Sequence, residues 1–236
     1  MQSQIQIRRR NGEKNLDPLL LIPDFSFPGR TLYAEPFESS YSVRIVELPT
    51  DKIQVDFPEY QTWIETISHE IVASKQKVKL IGEGLFSGMV FDLLQRHSSK
   101  IESASVLNPP FFKPEESFPW LPKNVDWILE RFPWNPWFLL SRELHFFYDS
   151  MERSFQVGLN DSEFFPTIVF TKKSEPITKQ IRSFGKTLGK FSVFRIEASN
   201  PKSVQPILKN LFMKILAGRP ISSVQKKSKF KIEPGF

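Results

Sequence analysis

The sequence predicts an α/β protein, a doubly wound and mostly parallel sheet with a helical lid insertion. Three observations predict it. Short aliphatic or β-branched runs alternate with segments of helical period along most of the 236 residues. One of those runs turns into a helix through a glycine-rich corner. A single segment rich in Pro and Trp interrupts the alternation, which then resumes.

Residues 19–23 (LLLIP) form a continuous apolar run stopped by proline, the pattern of a strand buried on both faces. Residues 43–48 (VRIVEL) give a second strand, ended by Pro49. Between 60 and 74, Trp63, Ile64, Ile67, Ile71 and Val72 recur at helical spacing among Glu and His residues, so an amphipathic helix is expected. Residues 78–81 give a third strand, followed by Gly82-Glu83-Gly84 and a helix from about 85 to 95. Residues 103–107 (SASVL) give a fourth, closed by Asn108-Pro109-Pro110. Residues 111–165 carry prolines at 114, 119, 122, 133 and 136 and every Trp except Trp63, with helical stretches near 125–132 and 137–155. That composition suits a lid folded over the sheet. A strand at 166–170, a short helix at 178–185, a strand at 191–196 (FSVFRI) and a helix at 203–216, ended by Gly218-Arg219-Pro220, complete the pattern. About six strands result, with an extra edge strand at 4–8. The organisation is a basic N-terminal segment (1–17), a core (18–110 and 166–218), a helical lid (111–165) and a basic C-terminal tail (219–236).

Composition narrows the chemistry. At 40% hydrophobic and 25% charged the chain is globular, and at this length one core is self-supporting. There is no Cys, which removes thiol nucleophiles, Cys-zinc sites, iron–sulfur clusters and disulfides. Only His69, His97 and His145 could supply an imidazole. No two His share a ligand spacing and no acidic hard-cation loop occurs, so neither metal nor cofactor is expected. No apolar run is long enough for a membrane span or a signal-peptide core, and the expected location is the cytoplasm. The net charge of +6 resides in the two ends, +2 in 1–17 and +4 in 219–236. A neutral folded body argues against a nucleic-acid partner, which would need a basic stripe fixed along it.

In an open parallel sheet, ligands bind beyond the carboxyl ends of the strands. The sharpest loop there is Ile81-Gly82-Glu83-Gly84-Leu85-Phe86-Ser87-Gly88, a strand turning abruptly into a helix. It resembles the strand–Gly-x-Ser-x-Gly–helix nucleophile elbow of the α/β-hydrolases. Gly82 matches the first glycine, Gly84 falls at the serine, and Phe86 replaces the second glycine. The order of elements is similar over about 200 residues, and the branch it most resembles is the small carboxylesterases acting on carrier-bound acyl methyl esters. Specificity comes from the elbow and from the loop in PTIVFTKKSEPIT, 166–178.

The resemblance implies a role for each family position. Gly84 at the nucleophile site has no side chain on which an acyl-enzyme could form. Glu175 takes the place of the catalytic acid and can still accept a hydrogen bond from an imidazole. The base belongs in 197–203, where Asn200 marks its place and no His occurs. The oxyanion hole would use the backbone N–H of Leu85 and one near Asp24 or Phe25. Asp24 stands where the family often has glycine, and its carboxylate would oppose a developing oxyanion by roughly 1–3 kcal/mol. Ser87 is read as a small packing residue on the first turn of the helix, and His97 as a solvent-facing residue at its end. His69 lies on the polar side of an amphipathic helix, and His145 in the lid is read as structural.

These residues predict a degenerate hydrolase, a pseudoenzyme with a pocket lined by residues such as Phe25, Phe86, Phe111 and Trp120 for an apolar or acyl ligand or a protein partner. The alternative is a residual ester hydrolase in which Asp24 or Glu175, converging with Glu83, activates water. A third reading adds an anionic membrane surface or partner for the basic tail, through Lys226, Lys227, Lys229 and Lys231 around Phe230.

Overall fold

Leu19, Leu20, Leu21 and Ile22 are all buried, because their strand lies inside a sheet covered on both faces. The computed structural model describes residues 5–10, 16–23, 34–47, 57–108, 167–170, 192–196, 201–218 and 230–233. Within them the chain runs β1 (Gln6–Arg9), β2 (Pro18–Ile22), β3 (Ser42–Glu47), α1 (Phe57–Ala73), β4 (Val78–Glu83), a 3-10 turn (Gly84–Ser87), α2 (Gly88–His97), β5 (Ile101–Leu107), β6 (Thr167–Phe170), β7 (Ser192–Ile196), α3 (Pro201–Leu216) and β8 (Phe230–Glu233). The eight strands form one sheet in the order β1-β3-β2-β4-β5-β6-β7-β8. The inner six are parallel, while β1 and β8 pair antiparallel at the two edges.

The period-2 alternation of the strands divides the core into two layers. Leu20, Ile22, Leu80, Val106 and Ile168 face Trp63, Ile64, Ile67 and Ile71 of α1 and Val90 and Leu94 of α2. Leu19, Leu21, Ile81, Leu107 and Val169 face Phe37 and Tyr41 on one side and Leu208, Leu211 and Phe212 of α3 on the other. A strand apolar at every position is what such double burial requires. Between α1 and α2, the buried Tyr60 hydroxyl donates to the Asp92 carboxylate. Burial pushes that hydroxyl's pKa well up, and the Asp92 charge adds to it.

Several boundaries differ from the sequence reading. The third strand runs on through Gly82 and Glu83, so Gly82 belongs to the strand and not to the corner. The turn that follows is 3-10, and α-helix begins only at Gly88. The last helix starts at Pro201, since proline fits the first turn, where its missing N–H would have no partner. The edge strand expected at 4–8 is found at Gln6–Arg9. Residues 230–233, assigned to the basic tail, form β8 instead. Their Phe-Lys-Ile-Glu alternation has strand period, a signal that counting charges passed over. Among the described residues the sheet therefore has one strand beyond the six and the extra edge strand expected, β8 at the opposite edge. The lid (111–165) and the helix at 178–185 lie outside the described residues.

Candidate functional site at the end of the fourth strand

The strand order places the crevice. From β2 the chain first adds β3 on one side and then crosses to β4 on the other, so the connections diverge between β2 and β4. Ligand sites of open parallel sheets lie at such a point, beyond the carboxyl ends. The end of β4 is there.

Two glycines shape it for different physical reasons. A Cβ on Gly82 would lie 2.5 Å from Val90 Cγ2 and 2.9 Å from Ser87 Cα, so only glycine lets α2 fold back against its own strand. Gly84 is left-handed, with φ 56°, directly after Glu83 in extended conformation (φ −123°, ψ 141°). This is the abrupt strand-to-helix corner expected from the sequence, and its apex carries no side chain. Gly88 by contrast has an ordinary helical φ of −56°.

The neighbouring groups are accounted for by packing. Ser87, fully buried, donates its hydroxyl to the Gly84 carbonyl at 2.7 Å, closing the 3-10 turn. Phe86, named above as pocket lining, sits in the core layer of α1 and α2, its ring centroid 6.4 Å from that of Trp63. Glu83 is buried at 5% exposure. On the adjacent strand, Leu107 pairs with Glu83 and is followed by Asn108, which has φ 50° and donates its backbone N–H to the Val169 carbonyl at 2.8 Å. The structure thus brings Glu83, Gly84, Leu85 and Asn108 to one crest. Asn108 was read only as the end of a strand, although an Asn ahead of two prolines is a signal for a special turn.

The two described imidazoles lie elsewhere. His69 is exposed on α1. His97 ends α2, about 15 Å of helix rise below the corner. It is not the solvent-facing residue expected, being half-buried with an enclosed Nε2 that has no hydrogen-bond partner. Asp24, Phe25, Phe111, Trp120, His145, Glu175 and Asn200 lie outside the described residues. Among those described, no cluster of three or more His, Asp or Glu could hold a metal ion, and no helix is long and apolar enough to cross a membrane.

No protein-family model matches the sequence, nor does any of the curated proteins compared with it. Solved structures do match the fold. A loop variant of a haloalkane dehalogenase from Bradyrhizobium elkanii superposes with a TM-score of 0.58 at 12% identity, over 94% of this chain and 100% of that one. A monoacylglycerol lipase from Paleococcus ferrophilus gives 0.56 at 13% identity, over 88% and 98%. A naproxen esterase from Bacillus subtilis gives 0.52 at 12%, over 89% and 88%. Likeness at this level of identity concerns architecture, and with the strand order and the corner already described it leads to one statement: this chain has the α/β-hydrolase fold.

Proposed function

We propose that this protein is an α/β-hydrolase-fold binder without hydrolase activity, which holds an apolar or acyl-type ligand beside the corner at Gly84. The observation that carries the reading is the left-handed apex itself, where glycine stands in the backbone conformation of a nucleophile elbow. The hydroxyl of Ser87, three residues on, is turned back onto the Gly84 carbonyl. An elbow that keeps its close-approach glycine and its left-handed apex, with the Ser87 hydroxyl committed to the backbone, favours binding over bond cleavage. Carrier-bound acyl methyl esters, the substrates of the esterases that the sequence resembles, suggest the size and polarity of the ligand.

Incubation with a serine-directed phosphonate probe and a panel of short-chain esters is expected to give neither labelling nor turnover above a Gly84→Ala control. Stoichiometric labelling would overturn the reading. Turnover without labelling that disappears in Glu175→Gln or Asp24→Asn would replace it with water activation by a carboxylate. Native mass spectrometry of the purified protein should reveal a co-purifying small molecule and its mass.

A further inference from the structure

We infer that the protein docks on an anionic lipid surface through the amino end of its sheet, with the basic residues around the foot of α1 on the headgroups and Val72 among them. This goes beyond the reading of the chain as a ligand binder, since the surface lies at the opposite end of the sheet from Gly84. The fold gathers cations there that are far apart in sequence. The six parallel strands begin at this end, and β1, running the other way, delivers Arg9 and Arg10 to it, with Arg9 directly opposite Arg44 of β3. The short connection from α1 to β4 carries Lys75 and Lys77, and Lys100 leads into β5. Arg9, Arg10, Lys75, Lys77 and Lys100 are all exposed. Acidic groups at this end are already engaged by cations, Glu70 by Arg44 and Arg9, and Asp17 and Glu102 by the buried Lys79. Glu35 and Glu38 flank Phe37, which belongs to the core layer on the other face of the sheet from α1 and α2.

Two further observations separate a docking surface from ordinary solvation. Like charges directly opposite on neighbouring strands are unfavourable, yet Arg9 and Arg44 are so placed, and both hold the same Glu70 oxygen, at 3.2 and 2.8 Å. One carboxylate offsets only one of the two guanidinium charges, and a headgroup phosphate over the pair supplies the second. Burial pushes the pKa of the Arg44 guanidinium down, and Arg9 pushes it the same way against the pull of Glu70, so an added anion relieves the pair. Val72 is the large hydrophobic side chain that the described residues leave exposed, at 54%, and it lies on the last turn of α1, between Glu70 and Lys75. An apolar side chain inside a basic patch suits a bilayer interface, where the cations meet headgroups and the apolar group enters the acyl boundary. A single-stranded nucleic acid would call for an exposed Phe, Tyr or Trp on which bases stack, and the described residues expose none. Docking by this end turns the Gly84 corner away from the bilayer.

Co-sedimentation of the full chain with mixed phosphatidylcholine–phosphatidylglycerol vesicles, at about 0.1 M salt, tests this. Binding is expected there, and none to vesicles of phosphatidylcholine alone. Lys75→Gln combined with Lys77→Gln should weaken it about tenfold or more, and Val72→Ser about threefold. Both variants should melt with the native protein, since all three side chains are exposed. Replacing Lys226, Lys227 and Lys229 of the basic tail by Gln should leave binding unchanged. Native-like binding by the Lys75→Gln, Lys77→Gln variant would overturn the inference, as would a tail variant that loses as much as that one does. Equal binding to phosphatidylcholine alone, or no binding of the native chain to the anionic vesicles, would also overturn it. A single-stranded oligonucleotide bound more tightly than the vesicles, with Val72→Ser indifferent, would overturn it in favour of a nucleic-acid surface.

Discussion

The two ends of β4 are built on opposite principles. At its carboxyl end the strand is shaped by backbone on either side of the buried Glu83: Gly82 admits α2, Gly84 makes the corner, and the Ser87 hydroxyl is spent on the backbone. At its amino end the strand buries a charge. Lys79 is 3% exposed, and its ammonium is held by the Glu102 carboxylate, with Asp17 Oδ2 at 3.8 Å. Each of these charged groups has a partner that explains it. The difference teaches that in this fold reactivity depends on which end of the strand a group occupies. Here the end where the loops converge has Gly84 at its apex with the Ser87 hydroxyl held on the backbone, and the other end carries the ion pairs.

The comparison is broken most severely by giving the carboxyl end a side chain it cannot hold. Gly82→Ala puts a methyl group into both a stiff Val90 side chain and the Ser87 backbone, and is expected to cost about 3 kcal/mol. Urea denaturation measures this directly. A loss under about 1 kcal/mol would mean that α2 shifts away freely, and that close approach is not what fixes the corner.

The amino end should respond according to which partner is removed. Glu102→Gln leaves a buried ammonium with, among the described residues, only the Asp17 carboxylate in reach, and about 2 kcal/mol should be lost. Lys79→Met keeps the apolar stem, and the carboxylates left behind are already about half exposed, at 53% and 48%, so the cost should be nearer 1 kcal/mol. Reversal of that order would show that the carboxylates, and not the lysine, carry the strain of burial. Neither substitution should alter ligand binding at the other end. Ser87→Ala should cost a similar 1 kcal/mol, by leaving the Gly84 carbonyl without its buried donor. It should leave reactivity to phosphonates at the level of the native chain.

Much of the frame could be read from the chain because its signals are local. The doubly buried run at Leu19–Ile22, the helical stripe of Trp63, Ile64, Ile67 and Ile71, and the glycines at 82 and 84 each state their surroundings within a few residues. The resemblance to a nucleophile elbow puts Gly84 at the corner, where its φ is 56°. What escaped depended on partners distant in sequence. The pairing of Lys79 with Glu102 spans 23 residues and that of Tyr60 with Asp92 spans 32, and no periodicity announces either. The edge strand β8 escaped because four residues of alternation sit inside a run of lysines.

The smallest expected effect concerns pH, and it too belongs to the amino end, since α2 descends from the corner to finish at His97. Burial pushes the His97 imidazole below its ordinary value of 6.5, and the neighbouring Arg96 guanidinium pushes it the same way. The unfolded chain takes up a proton as pH falls through 6.5, while the folded one resists it until its own lower pKa is reached. Stability is therefore lost over that window as pH falls, and the loss is complete below the folded pKa. One proton sets a ceiling of about 1.4 kcal/mol per pH unit, and because the ring is only partly enclosed the slope should be well short of it. His97→Gln should flatten the curve below pH 6.5 while leaving stability at pH 8 within about 0.5 kcal/mol of native. If denaturation midpoints of the two proteins run parallel from pH 8 to 5, the enclosed Nε2 is open to water in solution, and the foot of α2 contributes no pH sensitivity.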